Sequence, residues 1–124
     1  MKIFTPKTAY WENKVNFVDD NNVLVGYDLS QCCCEHADWF IADEPTSHIR
    51  GNEDLPDLDG FQFDTEFFEE KAERHHDAGA TAIFRMVNAA GEEKYLHLFN
   101  IHNGYYSHGF TMSVNGETIK NEVL

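Results

Sequence analysis

Two Asn-Gly dipeptides near the C-terminus, Asn103-Gly104 and Asn115-Gly116, constrain this chain more than any other feature. Each lies between runs in which apolar and polar residues alternate. Asn-Gly suits a two-residue hairpin turn because both central positions need positive φ. The segment from Ala80 onward, ATAIFRMVN-AAGEE-KYLHLFNIH-NG-YYSHGFTMSV-NG-ETIKNEVL, thus reads as four β-runs separated by turns,.

A two-residue turn fixes register. Around Asn103-Gly104 this sets His102 opposite Tyr105, Ile101 opposite Tyr106, Phe99 opposite His108 and His97 opposite Phe110. Around Asn115-Gly116 it sets Met112 opposite Ile119 and His108 opposite Val123. With a turn at Ala90-Gly91, Met86 faces Tyr95 and Phe84 faces His97. These registers gather one apolar face: Ala80, Ala82, Phe84, Met86, Tyr95, Phe99, Ile101, Tyr106, Phe110, Met112, Val114, Ile119 and Val123. The expectation is a four-stranded antiparallel meander, half-buried, with Ile83, Val87, Leu96 and Leu98 on its second face.

Upstream, residues 14–18 and 23–28 read as two short strands across an Asp19-Asp20-Asn21-Asn22 turn. Residues 37–42 (ADWFIA) form an apolar run expected to pack on the meander. Residues 43–60 are acidic and carry Pro45, Gly51, Pro56 and Gly60, the composition of a long surface loop,. Phe61-Gln62-Phe63 has strand character. Residues 65–76 (TEFFEEKAERHH) read as a helix, with strong formers, early acids, late histidines and Gly79 as a stop; Phe68 and Ala72 would form its buried stripe. The expected architecture is one β-rich α+β domain over 1–124. N-terminal strands extend the meander into a sandwich or half-barrel, with one short helix.

A length of 124 residues suffices for a core without staples, and 42% hydrophobic content argues against disorder,. The net charge of −13 disfavours direct binding to nucleic acid or anionic membranes, because phosphate contacts need Lys and Arg,. It suits a basic protein partner, or an acidic mimic of DNA. No apolar run is long enough to span a membrane. The N-terminal MKIFTPKTAYW lacks a signal-peptide core, so the expected compartment is the cytoplasm. Three adjacent cysteines have no disulfide-framework spacing, which suits reducing surroundings,.

Two places carry residue types that could do chemistry. One is Cys32-Cys33-Cys34-Glu35-His36. Its side chains are of zinc-ligand type, but C-x-x-C is absent and adjacent strand residues point to opposite faces. Packing as small hydrophobes is the leading reading. A cysteine nucleophile would need a cation or helix N-terminus, whereas Glu35 and Asp38 are the neighbours. The other place is His97 and His108, which the hairpin register puts on adjacent strands, diagonal and within about 8 Å. Together with Cys32 and Cys34 they are the candidate zinc ligands, against a leading reading as hydrogen-bonded core histidines. His75-His76-Asp77 reads as a helix end and His48 as a solvated loop residue. Nucleotide-binding, zinc-protease and serine-hydrolase motifs are absent, and the carboxylates of residues 53–59 do not match a calcium loop.

Two short strings resemble a family of uncharacterised proteins of bacteriophages and their bacterial hosts. Gln31-x-Cys33-Cys34-Glu35 is similar to that family's Q-D-C-C-E, and Asn103-Gly104-Tyr105-Tyr106-Ser107 to its S-N-G-Y-Y-S. Cys32 stands where the family tends to have an acid, His102 replaces its serine, and the preceding strand lacks its tryptophan. The resemblance implies a small β-rich fold that brings Gln31, Cys33, Cys34 and Glu35 near Asn103, Tyr105, Tyr106 and Ser107. It carries over no activity. The functional expectation is a non-enzymatic accessory or protein-interaction protein, phage- or prophage-like. It would use its acidic loop or an exposed sheet edge, with a homodimer as a further option. A metal-binding protein or hydrolase and a DNA mimic are the alternatives.

Overall fold

The computed structural model describes residues 1–5, 14–29, 36–46, 56–73, 78–102 and 108–124. Among them are nine strands and no helix: β1 (Lys2–Phe4), β2 (Lys14–Val18), β3 (Val23–Asp28), β4 (His36–Ala42), β5 (Gln62–Glu73), β6 (Ala78–Val87), β7 (Glu93–His102), β8 (Gly109–Val114) and β9 (Glu117–Val123). They form two antiparallel sheets, one ordered β1-β2-β3-β8-β9 and the other β4-β7-β6-β5. β2 and β3 match their expected bounds, and Asn22 closes the turn between them at φ 58°. Residues 37–42 pair directly with β7 as the body of β4.

The sheets face each other across a shared core. Val15, Phe17, Val23, Val25, Tyr27, Phe110 and Met112 come from the five-stranded sheet. They meet Phe63, Ala82, Phe84, Met86, Leu96 and Leu98 from the four-stranded one. Phe84 is the hub: its ring lies 5.4 Å from that of Phe68, 6.0 Å from Phe110 and 6.4 Å from Phe63. Trp39 of β4 packs edge-on against Phe17 of β2 at 5.0 Å. The Tyr27 hydroxyl donates to the Phe99 carbonyl at 2.8 Å, a polar tie between the sheets.

Four expectations are corrected. The segment expected as a helix from residue 65 is β5, with residues 74–76 outside the described set. Its helix formers are overridden because Phe68 packs between Phe84 and Lys120, and Phe67 meets Tyr95, contacts that a strand interrupted by a bulge can make,. The second correction concerns the meander. It splits: β6-β7 and β8-β9 are hairpins as expected, but β7 pairs with β4 and β6 while β8 pairs with β3 and β9. Phe99 therefore faces Asp38 and Thr81, not His108, and Phe110 faces Tyr27, not His97.

The third correction is a one-residue slip in β6-β7. Gly91 takes φ 83°, its N–H donates to the Asn88 carbonyl at 3.1 Å, and the Asn88 N–H donates to Glu92 at 3.2 Å. The loop thus has one residue more than a two-residue turn. Met86 pairs with Lys94 and Phe84 with Leu96. That slip turns Leu96 and Leu98 into the core and sends Tyr95, His97 and Phe99 to the outer face of the four-stranded sheet. The fourth lies in β9. Asn115 and Gly116 do adopt positive φ, 52° and 82°. However, Ile119 is an extra residue between the pairs Ser113–Thr118 and Met112–Lys120. Lys120 replaces Ile119 opposite Met112, and Ile119 and Val123, expected in the core, are 50% and 60% exposed.

Candidate interaction face

The outer faces of the two sheets differ in kind. On the four-stranded sheet, Phe40, Ile83, His97 and Phe99 are all buried. His97 stacks on Phe40 at 4.3 Å. Its Nδ1–H donates to the Tyr95 carbonyl at 3.0 Å and its Nε2 accepts the Thr46 N–H at 3.1 Å. With a carbonyl on one side and an N–H on the other, both ring nitrogens are engaged and the ring is neutral in this arrangement. His108 is buried elsewhere, beside Tyr27, with Nδ1–H donating to the Asp28 carbonyl at 2.8 Å. The two histidines belong to different sheets, so the diagonal pair expected from the hairpin register is not formed. Among the described residues no cluster of three or more His, Cys, Asp or Glu is placed to hold a metal.

Gln31, Cys32, Cys33, Cys34 and Glu35 lie outside the described residues, as do Asn103, Tyr105, Tyr106 and Ser107. Among the described residues near these segments, His36 pairs with Ile101, and His108 bonds to Asp28. Near this end of the sheets Asn100 is fully buried, its Nδ2 donating to the Leu124 carbonyl at 3.1 Å while its Oδ1 has no partner among the described residues.

At the opposite margin of the four-stranded sheet a charged group collects around Arg85. Its Nε donates to Asp64 at 3.1 Å and its guanidinium lies 4.7 Å from the Phe67 ring centre. The Tyr95 hydroxyl donates to Glu93 at 2.7 Å. The Arg85 hydrogen bond, helped by the Glu66 N–H, holds the Asp64 carboxyl below its ordinary value, and the Glu93 bond pushes the Tyr95 phenol up. Both shifts move away from neutral pH. Such a group clamps the bulge of β5 and offers no acid or base poised for catalysis.

The five-stranded sheet presents an open face. Alternation turns Val15, Phe17, Val25 and Tyr27 inward, so Lys14, Asn16, Val18, Leu24, Gly26 and Asp28 point outward,. The strand registers align one row across all five strands: Phe4, Asn16, Gly26, Thr111 and Asn121. Gly26 forms the floor of this row. A Cβ there would stand 2.7 Å from Asn16 Oδ1 and 3.4 Å from Thr111 Oγ1, so the missing side chain lets the neighbours close over the backbone,. The result is a depression of about 280 Å³ bordered by Lys14 and Asp28 at one side and Asn121 at another. A second depression of about 360 Å³ adjoins it on the same face, between Leu24, Ser113 and the Asn115-Gly116 turn. Phe4, 50% exposed, stands at one end of the row.

His97 and His108, the described residues among those expected as sites, do not lie on this face. The readable signal was Gly26, a glycine inside a strand that otherwise runs Val23, Leu24, Val25, Tyr27 and Asp28. A strand glycine weakens the element unless something approaches its backbone. The row it belongs to was not readable, because β3 and β8 pair across a long sequence separation that hairpin logic does not reach.

No protein-family model, curated protein or solved structure matches the chain.

Proposed function

We propose that the chain is a non-enzymatic interaction protein that binds a protein partner on the open face of its five-stranded sheet. One observation carries this reading. Asn16 and Thr111 close over the Gly26 floor, Asn121 borders the same depression, and the side chains of these three hydrogen-bond to no other described residue. Two amides and a hydroxyl in one depression offer donors and acceptors to an incoming backbone or polar side chain. Phe4 adds an exposed aromatic of the kind that anchors interfaces,. The net charge of −13 favours a partner with a basic surface around the contact,.

The test is a photo-crosslinking amino acid at Thr111, on the face, and at Glu92, in the exposed β6-β7 loop. The expected result in the native host is a discrete partner other than the chain itself, captured at position 111, absent at 92, and lost on Gly26→Gln. Equal capture at both positions, or none at 111, would sink the reading. Stoichiometric zinc removable by chelator with loss of fold would return weight to the metal-site alternative.

A further inference from the structure

We propose that β9 is a self-association edge: two copies pair antiparallel through residues 119–123 about a two-fold axis at Asn121, joining their five-stranded sheets. This inference does not depend on the partner reading above.

The backbone geometry of β9 selects which groups are offered. His108 and Leu124 exchange both backbone hydrogen bonds, at 2.9 and 2.8 Å. Bonded and non-bonded pairs alternate along an antiparallel ladder. Glu122 and Lys120, opposite Phe110 and Met112, therefore also direct N–H and C=O towards β8. Val123 and Asn121 direct theirs to the open side. Every residue of β9 but Lys120 is exposed, so nothing in the described protein covers this edge.

A two-fold antiparallel pairing must centre on one residue, and the sequence discriminates among the centres. Centring on Lys120 or on Glu122 puts identical charges directly opposite each other, which is destabilising. Centring on Val123, the last residue of β9, overlaps only the end of the strand. Centring on Asn121 sets Asn121 against itself as a bonded pair, Lys120 against Glu122 of the other copy, and Ile119 against Val123. Lys120 already lies 3.7 Å from Glu122 within one chain. The pairing would thus close a square of alternating charge on one side. It also brings Ile119 against Val123, two of the three large apolar residues that are exposed among the described ones. Charge and apolar complementarity select the same register, and the contact is isologous as a two-fold requires.

Of the other edges, β5 is lined by Glu66, Glu69 and Glu70, whose like charges oppose self-pairing, and β1 has three residues,.

Sedimentation velocity over a concentration series tests the proposal, using the whole chain. A reversible monomer–dimer equilibrium is expected. Asn121→Pro removes an N–H that faces the open side, so β8 pairing and thermal stability should persist while association weakens at least tenfold. Lys120→Glu and Glu122→Lys should each weaken association comparably, and the double reversal should restore it. A monomer at every concentration, or a dimer indifferent to Asn121→Pro, would overturn the proposal. Should Lys120→Glu unfold through loss of its 4.0 Å contact over the Phe68 ring, Asn121→Pro still decides.

Discussion

Asp19 offers the sharpest test of how the two sheets are joined. Its side chain is buried at the β2-β3 turn. Oδ1 accepts the N–H groups of Asn21 and Val23, each at 2.9 Å, and Oδ2 accepts the Phe63 N–H at 2.8 Å. One carboxylate thus closes a turn of the five-stranded sheet and fastens the start of β5 in the other. Asp19→Ala strands two buried donors, those of Val23 and Phe63, while the partly buried Asn21 N–H can turn to water. At about 1–3 kcal/mol for each stranded group, the loss should be about 3–4 kcal/mol. That is a large share of the about 5–15 kcal/mol that holds a domain together. With a urea slope of about 2 kcal/mol/M, the unfolding midpoint should fall by about 1.5–2 M. Asp19→Asn keeps Oδ1 but turns an NH₂ towards the Phe63 N–H, so it should lose about half as much. Asp20→Ala, next along the chain and exposed, should stay within about 0.5 kcal/mol of wild type. A loss below about 1 kcal/mol for Asp19→Ala would refute the claim that this carboxylate bridges the sheets.

Other expectations concern the core, the charged clamp and the open face. Phe84→Ala empties the hub of the ring cluster and should cost about 3–5 kcal/mol in the same urea assay. Asp64 has a folded pKa below its ordinary 3.8. Its stabilisation by Arg85 is therefore fully present above that value and lost as pH falls through the lower, folded one. The stability gap between wild type and Asp64→Asn should be constant from neutral pH to about 5 and close below about 4, as read from urea melts at each pH. Gly26→Ala needs only the end of the Asn16 side chain to give way. It should leave stability within about 1 kcal/mol by thermal melt while reducing partner capture at Thr111,.

Local features of the chain were legible and long-range pairing was not. The strands at 14–18 and 23–28, the turn at Asn115-Gly116 and the two C-terminal hairpins follow from alternation and turn residues that act over a few positions. Thr65 and its successors misled because Glu, Lys and Ala favour a helix in isolation, whereas Phe67 and Phe68 gain more by packing on opposite faces of a sheet. The loop at Gly91 differs from a two-residue turn by one position, and that difference reversed the facing of Leu96 and His97. Asn103-Gly104 looks like the other turn dipeptide, yet the strands it separates enter different sheets. No local pattern distinguishes a hairpin from a crossing between sheets when the connection has hairpin length. The candidate face inherits this difficulty, since Asn16, Gly26 and Thr111 become neighbours only once β8 lies against β3.

Both the face and the free β9 edge depend on that one pairing, so it is the claim to test first. Tyr27 and Phe110 are opposite each other, as are Val25 and Met112. The ladder phase fixed by His108 and Leu124 makes these non-bonded pairs, whose Hα atoms approach closely,. A nuclear Overhauser spectrum of the whole chain should show Hα–Hα cross-peaks between Tyr27 and Phe110 and between Val25 and Met112. Cross-peaks linking Phe110 to His97 and His108 to Phe99 instead would restore the continuous meander and contradict the account.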